Sequence, residues 1–136
     1  MKHFYLKMTF LLGIALCTLP LYAKKAKYTT LKPLEYQVHI EQTDSPCIID
    51  IRSASDYATG HIEGAINIAS NDLYFLSKLK QLSPNSKTIF IYCKLGKTSK
   101  AVAELLVING YNHVINLKGG ITAWGKKLPI VMFHPE

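Results

Sequence analysis

From Tyr28 onward, short apolar runs alternate with segments that have helical periodicity or helix-terminal residues. The runs are four or five residues long, and those around Ile48 and Phe90 are almost uninterrupted. Such runs are typical of strands buried on both faces, as in parallel sheets. The predicted strands are Tyr28–Leu31, Cys47–Ile51, Ala65–Ile68, Thr88–Tyr92 and His113–Leu117.

The segments between these runs carry start and stop signals of helices. Pro33 suits the first turn of a helix, and Gly60 and Gly110 suit the end of one. Asn71 or Asp72 can cap a helix through its side chain. The predicted helices are Leu34–Gln42, Ser53–Thr59, Asn71 or Asp72 to Leu82 with Leu73, Leu76, Leu79 and Leu82 on its apolar face, Ser99–Asn109, and a short helix around Trp124.

Strands that alternate with helices predict βαβ units, and therefore an α/β fold with a mainly parallel sheet. Ligands of such sheets bind beyond the carboxyl ends of the strands. Cys93 stands at this end of the strand Thr88–Tyr92, and a loop and a helix N-terminus follow it. This position makes Cys93 the first candidate for chemistry.

The first residues have the pattern of a secretory signal peptide. A basic start precedes Met8–Ala23, which contains no charged residue, and Ala23 suits a cleavage site. We expect a signal peptide over residues 1–23 and a single domain over residues 24–136, with its core at about residues 28–127. We also expect export, with the periplasm as the compartment. An uncleaved anchor is the alternative, but the uncharged run is shorter than the roughly 18 to 20 residues of a spanning helix.

The chain is basic almost entirely through lysine. Its formal net charge of +7 includes Lys2 and Lys7, so removal of residues 1–23 leaves 7 − 2 = +5. The lysines are scattered, and no basic stretch is interleaved with aromatic residues, so we expect no nucleic-acid partner. A lysine-rich surface still attracts small anions.

Only Cys47 and Cys93 remain once residues 1–23 are removed. Cys47 begins one predicted strand and Cys93 follows the end of another, which separates them by roughly 15 Å or more in a parallel sheet. A disulfide requires Cα atoms within about 7 Å, so we expect none. The cysteines lack zinc-site spacing and the histidines are scattered, so we expect neither a metal nor a cofactor.

The segment after Cys93 is suited to stabilise an anion at its sulfur. The thiolate is the reactive form of cysteine, and N–H groups of a tight loop and a helix N-terminus favour negative charge. Gly96 lets the loop curl, and Lys94 and Lys97 add positive charge. An inert buried cysteine is the alternative, but its neighbours would then be apolar. The candidate binding residues are Lys94, Leu95, Gly96, Lys97, Thr98 and Ser99.

Four segments between Tyr28 and Lys127 together form a recognisable pattern. They are Ile48-Ile49-Asp50-Ile51-Arg52 with Asp56-Tyr57; Gly60-His61-Ile62 with Gly64-Ala65-Ile66-Asn67-Ile68; Ile91-Tyr92-Cys93-Lys94-Leu95-Gly96-Lys97-Thr98-Ser99; and Gly110-Tyr111 with Val114–Leu117, Gly119-Gly120-Ile121 and Trp124. In this order and spacing, they resemble the rhodanese-like sulfurtransferase family.

The resemblance implies a three-layer fold with a five-stranded parallel sheet flanked by helices. It implies that Cys93 is catalytic and takes sulfane sulfur from a small anionic donor such as thiosulfate, a polysulfide or a persulfide. The resulting persulfide passes its sulfur to cyanide or to a thiol, which can belong to a protein. By the same resemblance, Asp50 and Arg52 hold the strand end to a neighbouring loop, and His61 fixes a loop.

One position departs from the family pattern. The last loop residue is usually arginine, and here it is Thr98. Lysine supplies charge but lacks the planar fork with which arginine binds an oxyanion, so thiosulfate turnover is the activity most affected. Two alternatives to a sulfurtransferase stay open, namely a non-catalytic binding or sulfur-carrier module and a thiol redox protein.

Overall fold

The computed structural model describes residues 27–84 and 87–132, and the predicted signal peptide over residues 1–23 lies outside the described residues. Strands and helices alternate in this part of the chain, as the sequence predicts. They are β1 (Thr29–Leu31), α1 (Pro33–Gln42), β2 (Cys47–Asp50), α2 (Ala54–Thr59), β3 (Ile66–Asn67), α3 (Phe75–Leu82), β4 (Ile89–Tyr92), α4 (Lys97–Ile108), β5 (Val114–Leu117) and α5 (Gly120–Trp124). None of the helices in residues 27–84 and 87–132 combines the length and apolarity needed to cross a membrane.

The strands form one five-stranded sheet in the order β1-β5-β4-β2-β3, and all neighbours run parallel. The predicted α/β fold with a parallel sheet is therefore confirmed. Strand β4 lies at the centre, and its register places Ile89 beside Cys47 and Tyr92 beside Asp50. Cys93 consequently emerges from the middle of the carboxyl edge of the sheet.

Two hydrophobic clusters cover the two faces of the sheet. Ile89 and Ile91 of β4 pack with Leu79 of α3 and Leu106 of α4 in one cluster. Alternate side chains of a strand point to opposite faces. Phe90 therefore belongs to the other cluster, which is formed with α1 and α5. Burial on both faces explains why the strands read as nearly continuous apolar runs.

Helix α3 begins at Phe75 rather than at the predicted Asn71 or Asp72. The side chain of Asp72 accepts a hydrogen bond from the amide of Tyr74 at 2.8 Å, which holds a turn ahead of the helix. The predicted apolar face was wrong at Leu73 and Leu82, which are 94% and 45% exposed. Phe75 and Leu79 are the buried residues of this helix.

Helix α4 begins at Lys97, two residues before the predicted start at Ser99. Gly96 adopts a left-handed conformation with φ +87°, and its carbonyl accepts a hydrogen bond from Lys100 N at 3.3 Å. This conformation turns the chain into the helix after a short loop, because glycine pays no steric penalty there. Lys97 and Thr98 therefore lie in the first helical turn rather than in the loop.

Candidate active site

The sulfur of Cys93 lies inside the curl formed by the loop and the start of α4. It accepts hydrogen bonds from the Gly96 amide at 3.1 Å, the Ser99 amide at 3.4 Å and the Ser99 hydroxyl at 3.3 Å. Ser99 is fully buried, and Cys93 is 6% exposed. Two of the residues predicted from sequence thus contact the sulfur directly.

These donors decide the ionisation of Cys93. Burial of the thiol by itself raises its pKa. The hydroxyl and amide of Ser99 and the amides of Gly96 and Leu95 lower the pKa, and together they outweigh burial. The pKa of Cys93 therefore lies below the ordinary value for a cysteine, and more of its reactive thiolate is present at neutral pH.

A second turn, at Gly119-Gly120, packs against the backbone of Cys93 and Lys94 and holds the loop in place. We call this contact the clamp. The amides of Ile121 and Thr122 donate to the carbonyls of Cys93 at 2.9 Å and Lys94 at 3.2 Å. Gly120 has φ +60°, and a Cβ atom there would lie 2.4 Å from the Cys93 carbonyl oxygen. Only glycine allows this approach. The sequence shows a Gly119-Gly120 turn, but it does not show that the turn meets Cys93.

A cleft of about 500 Å³ opens in front of Cys93 at the carboxyl edge of the sheet. The loop and the start of α4 form one wall, and the segments after β2 and β3 form the other. Residues predicted as site residues that line the cleft are Arg52, Cys93, Lys94, Leu95, Lys97 and Thr98. Residues that line it without having been predicted are Ile51, Ser53, Asp56, Ala69, Ser70 and Asn71.

The buried Asp50 and the partly buried Arg52 form an ion pair that shapes the wall opposite the loop. Arg52 Nε lies 3.0 Å from Asp50 Oδ1, and Arg52 Nη2 lies 2.6 Å from both Asp50 Oδ2 and the Gly60 carbonyl. The side chain of Asn67 donates to the carbonyls of Asp50 and Arg52, both at 2.9 Å. The pair therefore ties the end of β2 to the chain after α2.

His61 lies away from the cleft lining. Its Nδ1 is 2.9 Å from the Tyr57 carbonyl, its ring stacks on that of Tyr57 with centroids 3.8 Å apart, and its backbone pairs with Val131. These contacts hold the C-terminal segment against α2. Trp124 packs with Tyr36 in the cluster on the sheet face opposite the one to which Cys93 contributes.

Both cysteines of the described residues are free thiols. Residues 27–84 and 87–132 contain no group of three or more histidine, cysteine, aspartate or glutamate side chains placed to hold a metal ion. The side-chain groups that line the cleft include the Cys93 thiol, the cations of Lys94, Lys97 and Arg52, and the carboxylate of Asp56.

The family model for the rhodanese-like domain matches residues 32–127 of the chain. The chain is 31% identical over 93 residues to a protein named sulfurtransferase from Allochromatium vinosum, covering 68% of this chain and 84% of that protein. It is 37% identical over 84 residues to the uncharacterized protein YqhL of Bacillus subtilis, covering 60% of this chain and 62% of YqhL. A probable adenylyltransferase/sulfurtransferase, MoeZ of Mycobacterium tuberculosis, is 29% identical over 106 residues, but the chain covers 27% of MoeZ.

Solved structures agree with these relatives. The Alr3790 protein from Anabaena superposes with a TM-score of 0.67 at 26% identity, covering 77% of this chain and 94% of that one. A rhodanese-like domain protein from Staphylococcus aureus has the same fold, with a TM-score of 0.67 at 24% identity and coverage of 78% and 99%. The family match spans most of the chain, and the chain belongs to the rhodanese-like domain family.

Proposed function

We propose that this protein is a sulfurtransferase that carries a sulfane sulfur as a persulfide on Cys93. The observation that carries the proposal is the set of donors from Gly96 and Ser99 around a sulfur at the carboxyl edge of the sheet. Such donors stabilise a thiolate, and a sulfur that extends into the cleft can carry the persulfide anion.

The reaction divides into two steps at the same sulfur. The Cys93 thiolate attacks the sulfane sulfur of the donor, a new S–S bond forms, and the bond between that sulfur and the rest of the donor breaks. The leaving group is sulfite when the donor is thiosulfate, and a thiolate when the donor is a persulfide. An acceptor nucleophile then attacks the outer sulfur of the persulfide and restores the Cys93 thiolate. When the acceptor is cyanide, the product is thiocyanate, and when the acceptor is a thiol, the product is a persulfide.

Lys94, Lys97 and Thr98 line the cleft and define the donor preference that we propose. The two lysines attract an anionic donor, and the Thr98 hydroxyl offers one hydrogen bond. None of them reproduces the two parallel N–H groups of an arginine facing a sulfonate. Arg52 is held by Asp50 and Gly60 and does not take over that role. We therefore expect polysulfides and persulfides to load Cys93 faster than thiosulfate does.

We also propose that the protein acts outside the cytoplasm, since residues 1–23 have the pattern of a signal peptide. N-terminal sequencing of the protein recovered from the periplasm of an expressing cell tests this, and a mature N-terminus at Lys24 is expected. Recovery of the intact N-terminus in the cytoplasm would contradict it.

The intact mass of the purified protein tests the persulfide itself. The protein is treated with polysulfide or thiosulfate beside Cys93→Ser, and a gain of one sulfur atom that cyanide removes is expected in the unmodified protein alone. Loading by polysulfide but not by thiosulfate is the pattern that we expect from threonine rather than arginine at position 98. If neither donor loads Cys93, the protein is a binding module rather than a sulfurtransferase. Mixed disulfides with a protein thiol, formed without persulfide, would instead indicate a redox protein.

A further inference from the structure

The two walls of the cleft carry opposite charge. Lys94 and Lys97 lie on the loop wall and contribute +2. The other wall contains Asp56 together with Arg52, which is paired with the buried Asp50, so its sum is −2 + 1 = −1. A ligand that spans the cleft is therefore best matched when it is itself dipolar.

Asp56 is the group of this wall that is available to a ligand. It is the third residue of α2, it is exposed, and it lines the cleft. Its backbone amide donates to Ser53 Oγ at 3.1 Å and its carbonyl accepts from Thr59 at 2.7 Å, but its carboxylate accepts no hydrogen bond from residues 27–84 and 87–132. The Asp56 carboxylate is therefore available to bind water or the cationic group of a ligand.

The volume of the cleft also favours an organic ligand over a small inorganic one. Clefts of about 300 to 1,000 Å³ accommodate small organic ligands, and the cleft here measures about 500 Å³. An inorganic sulfur donor would contact Cys93 and the loop and leave the wall around Asp56 unoccupied. Ile51 and Ala69 on one wall and Leu95 on the other add apolar surface to the cleft, which suits a short carbon chain.

We propose that the preferred sulfur donor is an α-amino-acid persulfide, whose ammonium group binds Asp56 while its carboxylate faces Lys94 and Lys97. This inference rests on the proposed persulfide chemistry of Cys93 and names the class of donor. The Cys93 thiolate attacks the outer sulfur of the R–S–SH donor. The S–S bond of the donor breaks, the outer sulfur and its proton remain on Cys93, and the amino acid leaves as a thiolate that takes a proton from water.

Two donors that differ only in the ammonium group test the proposal. Cysteine persulfide and the persulfide of 3-mercaptopropionate are generated in place, and the rate of sulfur loading on Cys93 is followed by quenched intact mass. Their ratio is measured in the unmodified protein, in Asp56→Asn and in Asp56→Glu. An ion pair open to solvent is worth about a factor of three in the ratio of the two rates, so Asp56→Asn should lower the ratio about three-fold and Asp56→Glu should retain it. The two donors also differ in how readily their thiolates leave, but this difference is the same in all three proteins and cancels when their ratios are compared. Added salt should reduce the ratio in the unmodified protein.

Asp44→Asn is the matched control. It removes the same charge from the segment before β2, at the amino edge of the sheet and outside the cleft lining. Inorganic polysulfide, which has no ammonium group, distinguishes a failure of the proposed role of Asp56 from a failure of the proposed sulfurtransferase activity. If polysulfide loads Cys93 but the donor ratio is the same in the unmodified protein and in Asp56→Asn, the role of Asp56 is overturned and the sulfurtransferase stands. If no donor loads Cys93, both proposals fall.

Discussion

Cys47 and Cys93 belong to the same hydrophobic cluster and are almost equally buried, with 8% and 6% of their surfaces exposed. Their ionisation nevertheless shifts in opposite directions. Burial raises the pKa of Cys47, and Ser83 and Lys87 offset this only in part. Burial also raises the pKa of Cys93, but the donors of Ser99, Gly96 and Leu95 more than reverse it.

The difference comes from the ends of the sheet on which the two thiols lie. Cys47 begins β2 and pairs with Ile89 at the amino edge, where its backbone continues the ladder. Cys93 follows the last residue of β4, where the chain leaves the ladder and its next amides are free to turn toward the sulfur. Burial alone therefore does not distinguish an inert cysteine from a reactive one, whereas the direction of nearby N–H groups does.

The largest expected effect is a difference in alkylation rate between the two thiols. With iodoacetamide at neutral pH, we expect Cys93 to react on the order of a hundred times faster than Cys47, because Cys93 has more thiolate and faces the cleft. Peptide mass spectrometry after timed quenching measures both rates. In urea the two rates should converge, since unfolding removes both environments. Faster alkylation of Cys47 than of Cys93 in the native protein would contradict the prediction that Cys93 is the more reactive thiol.

Gly120→Ala tests the clamp that holds the loop around Cys93. A Cβ atom at Gly120 would meet the Cys93 carbonyl at 2.4 Å, on a backbone with φ +60°. We expect a loss of roughly 3 kcal/mol in the free energy of unfolding, and slower alkylation of Cys93.

Gly64→Ala is the matched control for this substitution. Gly64 also has a positive φ, +77°, but the nearest atom to its Cβ position, Ile48 Cδ1, is 4.0 Å away. Only backbone strain of about 1 kcal/mol is expected there, with no change in Cys93 reactivity. Urea unfolding followed by the fluorescence of the single tryptophan, Trp124, measures both. Equal losses for the two variants would show that the clamp adds nothing.

The sequence predicted the elements of the sheet well because its signal is local. Nearly continuous apolar runs identified the strands, and Pro33 and Gly110 marked helix ends near where the structure has them. Local patterns misled where side chains compete with the backbone. Asp72 holds a turn that delays α3, so Leu73 lies ahead of the helix, and the predicted leucine face holds only for Leu76 and Leu79.

The candidate site was predictable mainly on the side that is continuous in sequence, with Arg52 as the predicted residue of the opposite wall. Cys93 and the residues up to Ser99 follow one another along the chain, so the likeness to a family and the chemistry of the loop identified them together. Asp56, Ala69 and Ser70 reach the cleft because β2 and β3 lie beside β4 in the sheet. Their own spacing carries no signal of this, and neither does the contact of Gly120 with Cys93.

Ser99→Ala is expected to make the pKa and the alkylation rate of Cys93 more similar to those of Cys47. The substitution removes the hydroxyl that donates to the sulfur at 3.3 Å and retains the Ser99 amide donor. The pKa of Cys93 should rise, so alkylation at pH 7 should be several-fold slower, whereas rates well above the pKa should be nearly unchanged. A full pH profile of the alkylation rate separates this from a structural effect. An unchanged midpoint in the variant would contradict the role of the hydroxyl.

The smallest expected effect is on stability as a function of pH, and here the two thiols should differ in sign. Cys93 has a lowered pKa in the folded state, so its thiolate stabilises the fold above the pKa of an unfolded cysteine, and this contribution is lost as pH falls through the folded pKa. Cys47 has a raised pKa, so it stabilises the fold below the unfolded pKa and the contribution is lost as pH rises.

Urea unfolding of the unmodified protein, Cys47→Ala and Cys93→Ala between neutral and alkaline pH measures this difference, since all other titrating groups cancel when each variant is subtracted. The stability that Cys93 adds over alanine should grow as pH rises toward the unfolded pKa, whereas the stability that Cys47 adds should shrink above it. Trends of the same sign would mean that burial, rather than the donors at the carboxyl edge, governs both thiols.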